Sequence, residues 1–217
     1  MTSFAFAILS TKPDTPPADG RYEYRVWPRR PVSAVSVLHR EWVLQSAEKR
    51  ADIYLLGPQM TTSLVKLRNG TRLEIKQRGP DHMGLQHWSM ALSQAYPLSS
   101  SALRRFEAAL MLSQFLPIDA GLSPAHLLAS LSQYAATIEP QIVRKSRLLF
   151  RQGSCRAEIA RVGLGNRSRM SVALEDPDPM SAGHAVDTLG LGHMPNQSYG
   201  DFLHARLLSA AIPSPHH

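Results

Sequence analysis

The chain has one cysteine in 217 residues, Cys155, so no intrachain disulfide can form and its core must hold the fold together. Such sparse cysteine fits a reducing compartment, and Cys155 reads as a small core or surface residue. No apolar run approaches the ~20 residues that a membrane-crossing helix needs. The first ten residues are mildly apolar, but no positive segment precedes them and Lys12 follows them, so no secretory signal is expected and the protein reads as cytoplasmic. Glycine-rich nucleotide loops are missing too. There is no Gly-x-x-x-x-Gly-Lys and no Gly-x-Ser-x-Gly, and Gly163-Leu164-Gly165 lacks the third glycine of a dinucleotide fingerprint. The histidines are scattered, and the one close internal pair, His82 and His87, lacks a recognised metal spacing. Internal repeats and low-complexity tracts are absent.

What is present is a basic, core-forming chain. Hydrophobic residues make up 43% and charged residues 19%, with a formal net charge of +7. The charge is unevenly spread. Residues 140–170 hold eight Lys/Arg against Glu158 alone, whereas 171–217 set Arg206 against Glu175, Asp176, Asp178, Asp187 and Asp201. A concentrated basic region points to an anionic ligand: nucleic acid, anionic lipid or a phosphorylated small molecule.

Four segments carry charge at every second position: Arg21-Tyr22-Glu23-Tyr24-Arg25, Lys66-Leu67-Arg68, Arg72 through Arg78, and Lys145-Ser146-Arg147. A β-strand sends successive side chains to opposite faces, so each segment builds one charged and one largely apolar face. A solvated charged exterior is the ordinary outcome. A closed sheet with a charged, hydrated lumen that receives a polyanion is the alternative.

The spacing predicts strands near 21–27, 52–56, 64–68 and 71–78, the last two joined by Asn69-Gly70, a strong hairpin signal. Val35, Leu38, Trp42 and Val43 predict a helix over 32–49. Residues 79–99 read as loop with a short strand at Leu85–Trp88. Helices follow at 100–115 and from Ser123-Pro124 to about 135, the latter with a capping serine and a proline at its first position. Strands at about 138–150, 154–162 and 167–175 and helices at 181–189 and 199–211 complete the chain. With no βαβ alternation, the order favours an antiparallel α+β fold. Trp27, Trp42 and Trp88 read as core anchors.

If the charged faces converge, Lys and Arg can hold phosphate oxygens while carboxylates hold a bridging divalent cation. The chain resembles the CYTH family, the triphosphate tunnel metalloenzymes. The resemblance rests on the opening charged strand, Val65-Lys66-Leu67-Arg68-Asn69-Gly70, Leu73-Glu74-Ile75-Lys76, Val143 through Arg147, Ala157-Glu158-Ile159, Val172 through Asp176, Leu189-Gly190-Leu191 and Ser198-Tyr199. It implies an antiparallel, tunnel-like β-barrel with helices packed outside, formed by a single domain over 21–211 between a flexible arm at 1–20 and a tail at 212–217. It also implies a phosphate clamp of Arg25, Lys66, Arg68, Lys76, Arg78, Lys145 and Arg147, and Mg²⁺ or Mn²⁺ on Glu23, Glu158 and Glu175. Two positions depart from the family's pattern: Arg21 and Ala173 stand where glutamates are expected.

The expected partner is a triphosphate, polyphosphate or nucleotide, bound and in the fuller reading hydrolysed, with no catalytic residue assigned and neither nucleic acid nor membrane required. Two other readings stay open: a non-catalytic module with the same tunnel, and an RNA-binding surface on 144–169. Lys66→Ala with Arg68→Ala is expected to weaken triphosphate binding while leaving the melting temperature nearly unchanged.

Overall fold

Alternation decides the architecture. A computed structural model describes residues 20–112, 123–134 and 137–211, and in it successive side chains of each strand fall on opposite sides of one closed sheet. The strands are β1 (Arg21–Val26), β2 (Val43–Leu56), β3 (Ser63–Arg68), β4 (Arg72–Arg78), β5 (Gln86–Ala95), β6 (Glu139–Gln152), β7 (Cys155–Leu164) and β8 (Arg167–Asp176). They close into a barrel in the order β1-β5-β4-β3-β2-β6-β7-β8, with β8 returning to β1 and every pairing antiparallel. Closure removes free sheet edges and separates an inside from an outside. At the hairpin between β3 and β4, Asn69 and Gly70 take φ of 50° and 65°, the left-handed values that a primed turn requires.

Among the described residues four helices, α1 (Ser33–Glu41), α2 (Ser100–Ala109), α3 (Pro124–Tyr134) and α4 (Pro179–Thr188), bury the outer apolar side of the sheet, and a fifth, α5 (Tyr199–Ala211), packs elsewhere. Leu38 of α1 and Ala182 and Val186 of α4 pack with Val26, Phe150, Val172 and Leu174. Leu103 and Phe106 of α2 and Leu131 of α3 pack with Val65, Leu67, Leu73 and Ile75. Ser99 caps α2 by accepting from the Ala102 N–H at 3.2 Å, and Ser123 caps α3 through the His126 N–H.

The third cluster lies inside the barrel. Val143 is paired with Asp52, and Val162 with Lys145, so these valines share the lumen face. They are buried with Tyr54, Leu56, Met60 and Trp88 against Tyr199, Phe202 and Leu203 of α5. Trp27 stacks on Phe202 with ring centroids 3.7 Å apart. Helix α5 therefore plugs one end of the barrel. It fits closely there, because a Cβ on Gly200 would collide with the backbone carbonyl of Met60. Gly200→Ala is expected to cost roughly 1–3 kcal/mol through overpacking. Urea unfolding followed at the tryptophans checks this, and an unchanged midpoint would show that α5 can shift freely.

The structure corrects three boundaries. The helix expected over 32–49 ends at Glu41, and Val43–Leu56 is one fourteen-residue strand paired along its length with β6. Gln45, Ala47, Glu48, Lys49 and Arg50 suit a helix, but the long β6 ladder overrides that preference. Residues 86–95 form a full strand although Ser89, Met90, Ala91 and Leu92 show no alternation, because both β4 and β1 supply hydrogen-bonding edges. Helix α2 stops at Ala109, and Met111 takes a left-handed φ of 56°. Residues 113–115 of the expected helix lie outside the described residues, as do the tail at 212–217 and all of the expected arm except Gly20. Among the described residues no helix is long and apolar enough to cross a membrane.

Candidate functional site: the charged lumen

The inward faces of the strands enclose a cavity of about 530 Å³. Nine Lys/Arg line it (Arg21, Arg25, Arg50, Lys66, Arg68, Lys76, Lys145, Arg147 and Arg156) with five glutamates, Glu23, Glu48, Glu74, Glu158 and Glu175. Period-two side-chain placement on a closed sheet requires this: β1, β2, β3, β4, β6, β7 and β8 each contribute their charged parity to one interior.

Exposure rises along the lumen. Near α5 the side chains of Lys145 and Asp52 are 2% and 0% exposed. At the other end Arg68 is 42% and Arg156 52% exposed. The lumen is a well with a deep, plugged floor and an open rim.

Its charges are cross-paired. At the floor Lys145 donates to the Tyr54 hydroxyl at 2.6 Å and lies 3.1 Å from Asp52, which also faces Arg50 at 3.2 Å. The Lys145 ammonium sits 3.8 Å from the Tyr199 ring centroid. Burial, with Lys66 as a second cause, depresses that ammonium well below the ordinary lysine range despite Asp52. Midway up, Lys66 and Arg68 clasp Glu74 at 2.9 and 3.0 Å. Burial would raise the Glu74 carboxyl, but the two cations hold it down at about 2. On the facing wall Arg25 and Arg147 reach Glu158 at 2.9 and 2.7 Å. There burial is again overcome, by Arg25, Arg147 and Lys145, and Glu158 too is held at about 2.

Cations nevertheless outnumber carboxylates, and hydrogen-bonding capacity is left over. Among the described residues Arg21 Nη1, Arg50 Nε, Arg147 Nε, the Tyr199 hydroxyl and both Asp52 carboxylate oxygens are buried without a well-aligned hydrogen bond, although Arg50 and Arg147 lie in ion-pair reach of Asp52 and Glu158. Buried polar groups are nearly always satisfied, so such a cluster marks a place where further polar atoms belong.

Of the residues expected to clamp phosphate, Arg25, Lys66, Arg68, Lys76, Lys145 and Arg147 line the cavity together. Arg78 is not among the lining residues. It pairs with Asp81 at 2.6 Å, approaches Asp201 at 3.8 Å and lies over Trp88. The register shift leaves Ala91 of β5 as the extra residue, so β4 keeps its parity. Arg78 falls outside the cavity because it lies at the α5 end, by Asp201.

Glu23, Glu158 and Glu175 also line the cavity, but as they stand they do not fit a divalent cation. Arg25 occupies the space between the first two, and Glu175 turns to Arg156 at 3.4 Å. Among the described residues no group of three or more His, Cys, Asp or Glu is placed to hold a metal.

Glu48, Arg50, Asp52 and Tyr54 were missed because their strand was read in part as helix and because Lys49, between Glu48 and Arg50, interrupts the alternation of charge. Tyr199 was placed before the last helix without a role, and nothing in its local pattern shows that α5 turns it into the lumen. Cys155 is buried in the core, where burial, with Asp176 and Glu175 adding to it, pushes its thiol up to about 12. The basic run divides: Lys145 and Arg147 face the lumen, while Arg144, Arg151, Arg161, Arg167 and Arg169 are exposed.

No protein-family model matches the chain, and no curated protein matches it. Solved structures do. HpAC1 of Hippeastrum, a putative adenylyl cyclase described as having a dominant triphosphatase activity, superposes with a TM-score of 0.55 at 13% identity, over 92% of this chain and 100% of that one. A putative adenylate cyclase of Bacillus halodurans gives a TM-score of 0.47 at 9% identity, over 83% of this chain and 96% of its own. Likeness at such identities is one of fold: this chain shares the antiparallel closed-sheet fold of the Hippeastrum protein.

Proposed function

We propose that this protein binds a triphosphate-bearing small anion in the barrel lumen. One observation carries the reading: nine Lys/Arg against five glutamates line one enclosed cavity. Cations brought this close repel by several kcal/mol per pair at an effective dielectric of about 20, and a bound polyanion relieves that repulsion. Lys66, Lys76 and Lys145 serve as point charges for phosphate oxygens, and Arg25, Arg50 and Arg147 offer planar donor forks. The plugged floor suits the end of a phosphate chain better than its middle.

Turnover is the finer reading, supported by the triphosphatase description of the Hippeastrum protein. An RNA-binding role has less support, because Lys145 and Arg147 are withdrawn from the surface.

Calorimetric titration with tripolyphosphate and ATP tests binding, and phosphate release with and without Mg²⁺ or Mn²⁺ tests turnover. Micromolar binding is the expected result, and no heat and no thermal shift with either ligand would sink the proposal. Binding without release under any metal condition would leave a non-catalytic module.

A further inference from the structure

We infer that the lumen takes the polyphosphate as a free anion rather than as its metal complex, with the Arg25 guanidinium as the resident cation between Glu23 and Glu158. This rests on the reading of the lumen as a triphosphate site.

The geometry around Arg25 is fully built. From the middle of β1, its Nε donates to Glu23 Oε1 at 2.8 Å. Its Nη1 donates to Glu158 Oε1 at 2.9 Å and to Ser171 Oγ at 2.8 Å. The guanidinium carbon lies 4.4 Å from the Tyr199 ring centroid, which adds a cation–π contact. The remaining carboxylate oxygens are also taken up: Lys76 lies 3.7 Å from Glu23 Oε2, and Arg147 lies 2.7 Å from Glu158 Oε2. A magnesium ion needs its oxygen ligands at about 2.0–2.1 Å in near-octahedral array. It would have to displace a guanidinium that makes three hydrogen bonds and cannot lose its proton.

The sheet register explains how one arginine spans the two carboxylates. Ala173 on β8 pairs with Arg25 on one side and with Glu158 on the other. Its methyl group leaves open the path along which Arg25 crosses from β1 to β7. A long side chain at 173 would close that path. Ala173 is therefore a specificity-determining position, although it contributes no polar atom.

Charge arithmetic points the same way. The lining holds four more Lys/Arg than Glu, or three more when Asp52 beside Lys145 is included. A terminal triphosphate carries roughly −3.5 to −4 near neutrality, counting about −1 for each inner phosphate and −1.5 to −2 for the last. The free anion thus balances the excess. A complex with one divalent cation carries about two charges fewer and leaves cations uncompensated in a partly dry cavity.

The test is calorimetric titration of tripolyphosphate into the wild-type protein, once in EDTA and once in excess Mg²⁺ at matched ionic strength. Affinity in EDTA is expected to be equal to that in Mg²⁺ or up to roughly tenfold tighter. Affinity that is tenfold weaker in EDTA would overturn the inference while leaving the triphosphate reading intact. Absence of binding in both buffers would overturn both. Direct titration with Mn²⁺, followed by electron paramagnetic resonance, gives a second readout. Wild-type protein is expected to leave the Mn²⁺ signal free, whereas Arg25→Gln, which removes the guanidinium between Glu23 and Glu158, is expected to capture it. Capture by the wild type that tripolyphosphate does not require would sink the idea.

Discussion

Lys66→Ala combined with Arg68→Ala should cost the protein stability as well as ligand. The two cations share Glu74, whose side chain is 4% exposed, at 2.9 and 3.0 Å. Removing both strands a buried carboxylate, which costs roughly 3–5 kcal/mol. For a chain of this size that is on the order of 10 °C in melting temperature. The sequence-level expectation of a nearly unchanged melting temperature treated these side chains as free cations and so left out their shared partner. Affinity for tripolyphosphate should fall at least about a hundredfold, since each charged hydrogen bond contributes roughly 1.5–3 kcal/mol. Adding Glu74→Leu separates the two effects: most of the lost stability should return, and the affinity should stay low. If the triple variant binds tripolyphosphate like the wild type, the β3–β4 hairpin plays no part in holding phosphate.

Acid should dismantle the lumen. Glu74 and Glu158 are both held at about 2, against 4.5 for an ordinary glutamate. Both values are depressed in the folded state. Each group therefore contributes stability that is present in full above about 4.5 and is lost as pH falls toward about 2. Within that window the unfolded chain binds protons that the native lumen refuses, and each glutamate removes up to about 1.4 kcal/mol per pH unit. Melting temperature measured at steps between pH 6 and pH 2.5 should hold level above roughly 5 and then drop steeply. Glu158→Gln should show a shallower drop from a lower plateau, because Arg25 and Arg147 lose their shared partner. A wild-type profile that stays flat to pH 3 would mean that these carboxylates are not paired as described.

Much of this barrel was legible before any coordinates. Arg21-Tyr22-Glu23-Tyr24-Arg25 alternates so regularly that its strand and both of its faces follow from period two alone. Asn69-Gly70 marks its hairpin because few other residue pairs tolerate two positive φ values in succession. Ser123-Pro124 marks the start of α3 through capping chemistry that is purely local. Where local signals competed, the reading slipped. Gln45 to Arg50 favours a helix by composition, and only the ladder to β6, far along the chain, makes it a strand. Residues 89–95 carry no pattern of their own and take their form from β4.

The site divides in the same way. Which cations share a face was readable, and Arg25, Lys66, Arg68, Lys76, Lys145 and Arg147 do meet in one cavity. Their pairing was not readable. Lys145 with Asp52, Arg25 with Glu158, and Tyr199 over both cations join residues that are 93, 133 and up to 174 positions apart, and strand parity says nothing about such distances.

From the chain alone came the two-faced strands, the surplus of positive charge and the antiparallel α+β class, because these depend on neighbours within a few residues. Ring closure, the plug made by α5 and the guanidinium set between two carboxylates were decided only in three dimensions. Each depends on contacts whose loop-closing entropy is recovered when the whole barrel forms at once.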